Sequence, residues 1–152
     1  MPIRVEIVTQ ERMVFEDDVD AVNLPGSEGR LGILPNHAPL LTTLDFGEVI
    51  VRKGGEEQYF AVGGGFAEVQ PEKVIVLADS AERADEIDIE RAQAARERAE
   101  QLMKEGVPED PDRYAQIRAS LQRAQIRIDV ARRRRRSSAL PTGRTMQGQD
   151  EE

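Results

Sequence analysis

The feature that most constrains the fold of this chain is a change in the spacing of its apolar residues after Ser80. Before this point apolar and polar side chains alternate, as in "IRVEIV" at residues 3–8, and a period of two is typical of half-buried strands. Beyond it apolar residues recur at intervals of three and four, as at Ala92, Ala95 and Ala99, which is the period of an amphipathic helix. The chain is therefore predicted to contain a sheet-rich half followed by a helical half.

The sheet-rich half is predicted to be a small β-sandwich. "KGGE" at 53–56 and "QPEK" at 70–73 are typical of tight hairpin turns, because glycine adopts positive φ and proline presets a turn. Short strands separated by such turns are typical of a sandwich or a flattened barrel. The predicted strands cover residues 3–8, 19–24, 30–34, 47–52, 58–62, 65–70 and 73–78.

The helical half is predicted to form two helices joined by a short link. Asp88 is a suitable N-cap for the first helix and Gly106 a suitable stop, while Asp110 caps the second helix just before Pro111. A short link between two helices favours antiparallel packing. The first helix offers mostly alanine on its apolar stripe, so little area is buried and the hairpin is predicted to be held weakly and to be able to open.

Together these patterns predict an α+β chain with an N-terminal β-sandwich followed by a C-terminal antiparallel α-helical hairpin. The sandwich is predicted at residues 1–84 and the hairpin at residues 85–136. Residues 137–152 lack periodicity and are rich in small and polar side chains, so they are predicted to be a disordered tail.

Charge is distributed unevenly along the chain. The formal net charge is −8, yet residues 113–144 carry ten basic side chains and one acidic side chain, including five consecutive arginines at Arg132–Arg136. An acidic body with one basic arm implies either that the arm has an anionic partner of its own or that it folds back on the body.

The residues give no indication of an enzyme. The chain has no cysteine, and His37 is its single histidine, so neither a zinc pattern nor a nucleophile set is present. The glycines of "VGGGFAEV" at 62–69 lack the Lys-Ser/Thr pair and the helix of a phosphate loop, and they are predicted to mark a tight turn with close backbone approach. No signal peptide or apolar membrane span is evident, which favours a cytoplasmic location.

Arginines on the two helices form a candidate anion site. Arg91 and Arg98 are seven residues apart and Arg123 and Arg127 four apart, so each pair lies on one helix face. In an antiparallel hairpin these faces can converge, and several guanidinium groups around one cavity suit a polyphosphate. Asp88 could form an ion pair with Arg91, or it could accept a hydrogen bond from a ribose hydroxyl or an adenine amine. Spacing alone, however, favours ordinary solvated helix charges.

Three segments resemble the epsilon subunit of bacterial and chloroplast F-type ATP synthase. They are "GRLGILPNHAPL", the "GGF" turn and "IDIERA", and the likeness extends over about residues 1–132. The resemblance implies a non-catalytic rotor subunit that couples proton flow to ATP synthesis. It also implies that the hairpin inhibits ATP hydrolysis when it extends from the sandwich into the catalytic head.

The resemblance further implies partners and a membrane-associated location. The sandwich is expected to contact the gamma subunit and the c-subunit ring, and the arginine run Arg132–Arg136 to contact acidic segments of the alpha and beta subunits. Membrane contact is expected only through the complex, on the cytoplasmic side of a bacterial membrane or on a thylakoid. Residues predicted to bind partners in the sandwich are Leu31, Ile33, Leu34, His37, Leu40 and Leu41.

Some bacterial members of that family bind ATP through an I/L-D-x-x-R-A motif. Here Ile87, Asp88, Arg91 and Ala92 match it, so the resemblance implies ATP as a regulatory ligand, with no required cofactor or metal. Further residues on positions that resemble this site are Glu82, Arg98, Arg123 and Arg127.

The alternative from another functional class is a nucleic-acid-binding module that uses the arginine run. The basic arm of residues 113–144 contains one tyrosine, at its start, and no aromatic residue lies in or next to the run Arg132–Arg136. A stacking platform for bases is therefore lacking. The ATP synthase interpretation requires no nucleic acid.

Overall fold

The structure, a computed structural model, describes residues 2–106 and 109–139, with side chains described as far as Arg134. It contains a β-sandwich followed by two helices, which confirms the predicted fold class. A short 3-10 turn (Ala84–Glu86) links the two halves. The strands are β1 (Ile3–Val8), β2 (Met13–Val19), β3 (Ala21–Gly26), β4 (Gly29–Ile33), β5 (Leu40–Lys53), β6 (Glu56–Val69), β7 (Lys73–Ala78) and β8 (Ala81–Arg83), and the helices are α1 (Ile89–Lys104) and α2 (Pro111–Ala139).

The strands hydrogen-bond in the order β2-β1-β7-β6-β5-β3-β4, with β8 paired to β6. The pair β1–β7 is parallel, whereas the other pairs are antiparallel. The two long strands β5 and β6, of 14 residues each, carry the sheet from one layer to the other. Strand β2 also contacts β5 and β8, to which it is not hydrogen-bonded, so the sheet folds over itself.

Alternation of side chains places one apolar core between the two layers. The rings of Phe15 and Phe60 meet there at a centroid distance of 5.2 Å in a tilted arrangement. The largest fully buried side chains of this sandwich core are those of Phe60, Ile3, Ile7, Leu24 and Ile33.

Strand β6 corrects the prediction of two strands separated by a turn. The glycines lie inside one continuous strand, with φ of 88° at Gly64 and 118° at Gly65. A Cβ added at Gly65 would lie 2.0 Å from the backbone oxygen of Leu77. The predicted close backbone approach is therefore confirmed, but it occurs between β6 and β7 and does not end the strand.

Both helices begin where their capping residues predict. The Asp88 carboxylate accepts a hydrogen bond from the backbone N–H of Arg91 at 3.1 Å, and Asp110 accepts one from the backbone N–H of Asp112 at 3.0 Å. Helix α1 gives way to Gly106, whose φ of 111° favours glycine. One of the free N-terminal N–H groups of each helix is thus satisfied by a capping side chain.

Helix α2 is longer than predicted. It extends to Ala139, whereas the sequence predicts an end at Arg136 and a tail from residue 137. Ser and Ala residues can continue the backbone hydrogen bonds of a helix, although the helix propensity of Ser is lower than that of Arg. The rest of the predicted tail, 140–152, lies outside the described residues.

The two helices pack along a stripe of alanines on α1 and of alanine and isoleucine on α2. Arg96 Nη1 donates to Gln125 Oε1 at 3.5 Å, a pairing expected for antiparallel helices. None of the helices in the described parts of the chain is long and apolar enough to cross a membrane. The buried residues of the helical stripes are Ala92 and Ala99 on α1 and Ile117, Ala124 and Ile128 on α2.

A second face of α2 lies on the outer surface of the sandwich, against β5 and β6. The contact is an apolar group that we call the interface cluster, and Tyr59, Ile89 and Ile126 pack around it. The hairpin is therefore docked on the sandwich through a small apolar area. The buried residues of the interface cluster are Ala61, Ala84, Ile87, Val130 and Ala131.

Candidate functional site

Two cavities flank the interface cluster, and the first lies between α2 and the β1–β2 turn. Its volume is about 470 Å³. Arg123 and Arg127 enter it from α2, Glu82 from β8, Glu86 from the 3-10 turn and Arg12 from the β1–β2 turn. Three guanidinium groups, which suit phosphate groups, thus share one space with four carboxylates, those of Glu11, Asp79, Glu82 and Glu86.

The Glu82 carboxylate accepts two hydrogen bonds from the guanidinium group of Arg127. Arg127 Nε donates to Glu82 Oε2 at 2.7 Å and Arg127 Nη2 donates to Glu82 Oε1 at 3.2 Å. The side chains are 21% and 27% exposed, respectively, so this two-point pair is partly shielded from water. An incoming anion would have to compete with Glu82 for Arg127.

Arg12 is a cavity residue that sequence analysis missed. Arg12 Nη2 lies 3.3 Å from Glu86 Oε2. The turn is fixed by Thr9, whose backbone N–H donates to the Arg12 carbonyl at 3.0 Å and whose hydroxyl accepts from the Arg12 backbone N–H at 3.3 Å. A single arginine in a turn gives no indication of a binding site in the sequence. Arg12 becomes part of the cavity only because α2 packs beside the turn.

The remaining predicted ATP residues do not line the first cavity. Asp88 caps α1, and the side chains of Arg91 and Arg98 are exposed on that helix. Ile87 belongs to the interface cluster and Ala92 is fully buried. The described structure therefore gathers part of the predicted set at one place, namely Glu82, Arg123 and Arg127.

The second cavity, of about 480 Å³, lies between α2 and β5 and holds Arg30, Glu48, Arg132 and Arg133. Glu48 is 8% exposed and is the one buried charged side chain in the described part of the chain. Arg133 Nη1 donates to Glu48 Oε1 at 2.7 Å. Arg30 Nη2 donates to the backbone oxygen of Glu48 at 2.8 Å.

Burial and neighbouring charges act in opposite directions on these groups. Burial raises the pKa of Glu48 above its ordinary value, and the charges of Arg133 and Arg30 offset only part of this rise. Burial also lowers the pKa of Arg30. The ionised form of Glu48 therefore depends on the arginines around it. In this structure the basic arm folds back on the acidic body, which is one of the two alternatives that the charge pattern left open.

The arginine run is described only in part. Arg132, Arg133 and Arg134 are exposed residues of α2, and Arg133 reaches back to the sandwich. The side chains of Arg135 and Arg136 lie outside the described residues. Within those residues no group of three His, Cys, Asp or Glu side chains is suited to hold a metal ion.

The predicted partner-binding residues of the sandwich differ in exposure. Leu34 is 63% and Leu41 73% exposed, and Leu40 is also exposed. Leu31 is half-buried and packs against the sandwich core, whereas Ile33 is fully buried in it. Ile33 is therefore corrected from a contact residue to a core residue, because the alternation of β4 turns its side chain inward.

The loop around His37 is tied to the rest of the sandwich. His37 Nδ1 lies 2.7 Å from the Ala38 carbonyl oxygen, and the His37 backbone N–H donates to the Leu34 carbonyl at 3.2 Å. The backbone N–H of Asn36 donates to the Pro71 carbonyl at 2.8 Å. These contacts hold the exposed leucines at one end of the sandwich.

An exposed apolar row on the sheet was also missed by sequence analysis. Phe66 pairs with Leu77, Leu77 is in register with Val8, and Val8 with Met13. Phe66, Leu77 and Met13 are all exposed. Large apolar side chains gathered on one surface are typical of a protein interface. Their strand positions are predictable, but the adjacency depends on strand order.

Comparison with known proteins gives a consistent match. The ATP synthase Delta/Epsilon chain beta-sandwich domain matches residues 2–84, and the Delta/Epsilon chain long alpha-helix domain matches residues 85–132. The ATP synthase epsilon chain of Dehalococcoides mccartyi (strain CBDB1) is 49% identical over 140 residues, covering 88% of this chain and 95% of the relative. That of Herpetosiphon aurantiacus is 50% identical over 135 residues, covering 89% and 98%.

Solved structures share the fold. A chain of the Euglena gracilis mitochondrial ATP synthase superposes with a TM-score of 0.69 at 24% identity, covering 82% of this chain and 78% of that one. A chain from the central stalk and c-ring of the Tetrahymena thermophila mitochondrial ATP synthase superposes with a TM-score of 0.57 at 14% identity, covering 86% of this chain and 97% of that one. At these identities the likeness concerns the fold alone. With both family domains matched in order and relatives near 50% identity over most of the chain, the protein belongs to the ATP synthase delta/epsilon chain family.

Proposed function

We propose that this chain is a non-catalytic subunit of the ATP synthase central stalk, peripheral to the membrane complex. The observation that supports this most is the ordered match of both family domains over residues 2–132. The relatives that match at about half identity are named ATP synthase epsilon chains, and one chain of similar fold belongs to a central stalk and c-ring. The nucleic-acid alternative has no support from these comparisons.

The exposed apolar surface of the sandwich is the proposed contact with the gamma subunit and the c-subunit ring. Leu34 and Leu41 project from one end, and Phe66 and Leu77 lie side by side on the sheet. Burying such side chains in an interface releases about 25 cal/mol per Å² of apolar area. A rotor subunit must stay attached while it transmits torque, and an apolar contact of this kind provides attachment without covalent linkage.

Replacing an exposed leucine by a charged residue tests this attachment. Leu41→Asp is expected to prevent the chain from co-purifying with the ATP synthase, because the carboxylate would be buried unpaired in the contact. Gln122→Asp, on the exposed face of α2, is the matched control and is expected to co-purify normally. Equal recovery of both variants with the complex would contradict the proposed surface.

The hairpin is proposed to regulate ATP hydrolysis by leaving the sandwich, with ATP favouring the docked state. Arg123 and Arg127 supply two guanidinium groups in the first cavity, and its 470 Å³ volume suits a ligand of nucleotide size. Binding of the phosphates requires Arg127 to release Glu82, and Asp88 and Arg91 of α1 to approach the cavity. A ligand that binds only the docked state stabilises it by ~2.7 kcal/mol at one hundred times its dissociation constant.

Calorimetric titration of the full chain with ATP tests the nucleotide site. Arg127→Gln is expected to weaken binding by about tenfold or more, because a charged hydrogen bond to phosphate is lost. Arg91→Ala tests the part of the site on α1 and is likewise expected to weaken ATP binding. Arg118→Gln removes an equal charge from an exposed position of α2 and is expected to leave binding unchanged. Wild-type affinity in both the Arg127 and Arg91 variants would refute this site.

A further inference from the structure

Glu48 lies on the outer side of strand β5, yet it is buried. The neighbouring residues Val49 and Val51 point into the sandwich core, so alternation turns Glu48 to the opposite face. There it is in register with Ala61 of β6, a member of the interface cluster. Glu48 is therefore buried at the place where α2 packs against the outer side of β5.

The covered carboxylate is bound by the arginine run itself. Arg133 Nη1 donates to Glu48 Oε1 at 2.7 Å, and the Glu48 side chain is 9% exposed whereas that of Arg133 is 62% exposed. A buried carboxylate loses its hydration, so it needs a cation or hydrogen-bond donors in place of water. Within the described residues Arg133 is the residue of the run that supplies a side-chain donor to it.

The backbone of Glu48 is held by an arginine of the sandwich itself. Arg30 Nη2 donates to the Glu48 backbone oxygen at 2.8 Å, and Arg30 Nε donates to Asn23 Oδ1 at 2.6 Å. Arg30 is thereby held on two neighbouring strands, and its charge adds to that of Arg133 beside the carboxylate. The acceptor, Glu48, thus belongs to the sheet, whereas the donor, Arg133, belongs to α2, the helix that is proposed to move.

We propose that the Glu48 face of the sandwich is an intramolecular binding site for the arginine run, which holds the C-terminal part of α2 in the docked state through Arg133. An acidic protein surface that binds these arginines must displace Glu48, so the sandwich and that partner compete for the same guanidinium. This inference rests on the proposed undocking of the hairpin, and it adds a contact outside the nucleotide cavity that sets how readily undocking occurs.

A single buried thiol reports the docked population. The chain contains no cysteine, so Ala84→Cys introduces one thiol at a buried position of the interface cluster that α2 covers. Its rate of reaction with a thiol reagent, relative to a denatured control, measures the fraction of undocked chains even when that fraction is small. The variants below are all made in this background and used as the full chain.

Arg133→Gln is expected to accelerate labelling by about tenfold or more, because the buried Glu48 carboxylate loses its charged hydrogen bond and keeps only the charge of Arg30 nearby. Arg134→Gln removes the same charge from the same run at an exposed position and is expected to stay within about twofold of the parent. Adding Glu48→Gln to the Arg133 variant is expected to restore part of the protection, because no uncompensated charge remains.

Two results would overturn the inference. Equal labelling rates for the Arg133 and Arg134 variants would show that the pair does not hold α2, and an absence of recovery in the double variant would show that Glu48 is not the partner. The proposed ATP response is measured separately in the Ala84→Cys parent. Labelling that ATP fails to slow would contradict nucleotide regulation, while leaving the difference between the two arginine variants intact.

Discussion

The close approach of β6 and β7 at Gly65 makes a substitution there the sharpest test of the fold. In Gly65→Ala the new Cβ would lie 2.0 Å from the Leu77 carbonyl oxygen and 2.8 Å from the Ala78 Cα, so the two strands must separate. Overpacking of this kind costs ~1–3 kcal/mol and an unfavourable positive φ ~1–3 kcal/mol. The expected loss of stability is the sum of the two, about 2–6 kcal/mol, which is a large part of the stability of a small domain.

Gly29→Ala is the matched control for the backbone term. Gly29 has φ of +134°, close to the +118° of Gly65, but a Cβ there meets nothing within 4 Å. We expect Gly29→Ala to lose only the backbone contribution to stability, about 1–3 kcal/mol. Urea unfolding followed through the amide NMR signals of β6 and β7 excludes the helices from the measurement. A difference between the two variants below about 0.5 kcal/mol would refute the steric argument.

Three further predictions concern the hairpin and the sandwich surface. Ile128→Ala removes a fully buried side chain between the helices and is expected to destabilise the hairpin by about 2–4 kcal/mol in thermal unfolding followed by circular dichroism. Asp88→Ala removes the α1 cap and is expected to cost about 1 kcal/mol, seen as faster amide exchange at Arg91. The hydrogen bond from Lys53 lowers the pKa of Asp17, so its stabilisation is present above the unfolded-state pKa and is lost as the pH falls through the folded one. An NMR titration of the Lys53→Met variant should find that pKa raised toward its ordinary value, and an unchanged pKa would exclude Lys53 as the cause.

Local signals in the sequence predict the limits of several elements, but they miss strand β2 and the first half of β5. The alternation of residues 3–8 and 73–78 gives β1 and β7, and Asp88 and Gly106 bound α1. Such signals depend on a residue and its near neighbours, so they survive without knowledge of the tertiary fold. The same holds for the arginine pair of α2, whose four-residue spacing places Arg123 and Arg127 in one cavity.

Features that depend on long-range contacts were not predictable. Glu48 follows the rule for a solvent-facing strand position, and only the docking of α2 buries it. Strand β8 has three residues and exists because Ala81–Arg83 pair with β6. Arg12 enters the first cavity through a turn that is distant in sequence from α2. In each case a tertiary neighbour determines the role of a residue whose local pattern is neutral.

The parallel pairing of β1 with β7 constrains when the sandwich can form during synthesis. Strand β1 is held between β2 and β7, with Arg4 in register with Lys73. Contacts of such high sequence separation are formed late and slow the folding of a domain. Before β7 is available, one edge of β1 is therefore unpaired, and an unpaired strand edge of this kind is prone to aggregation.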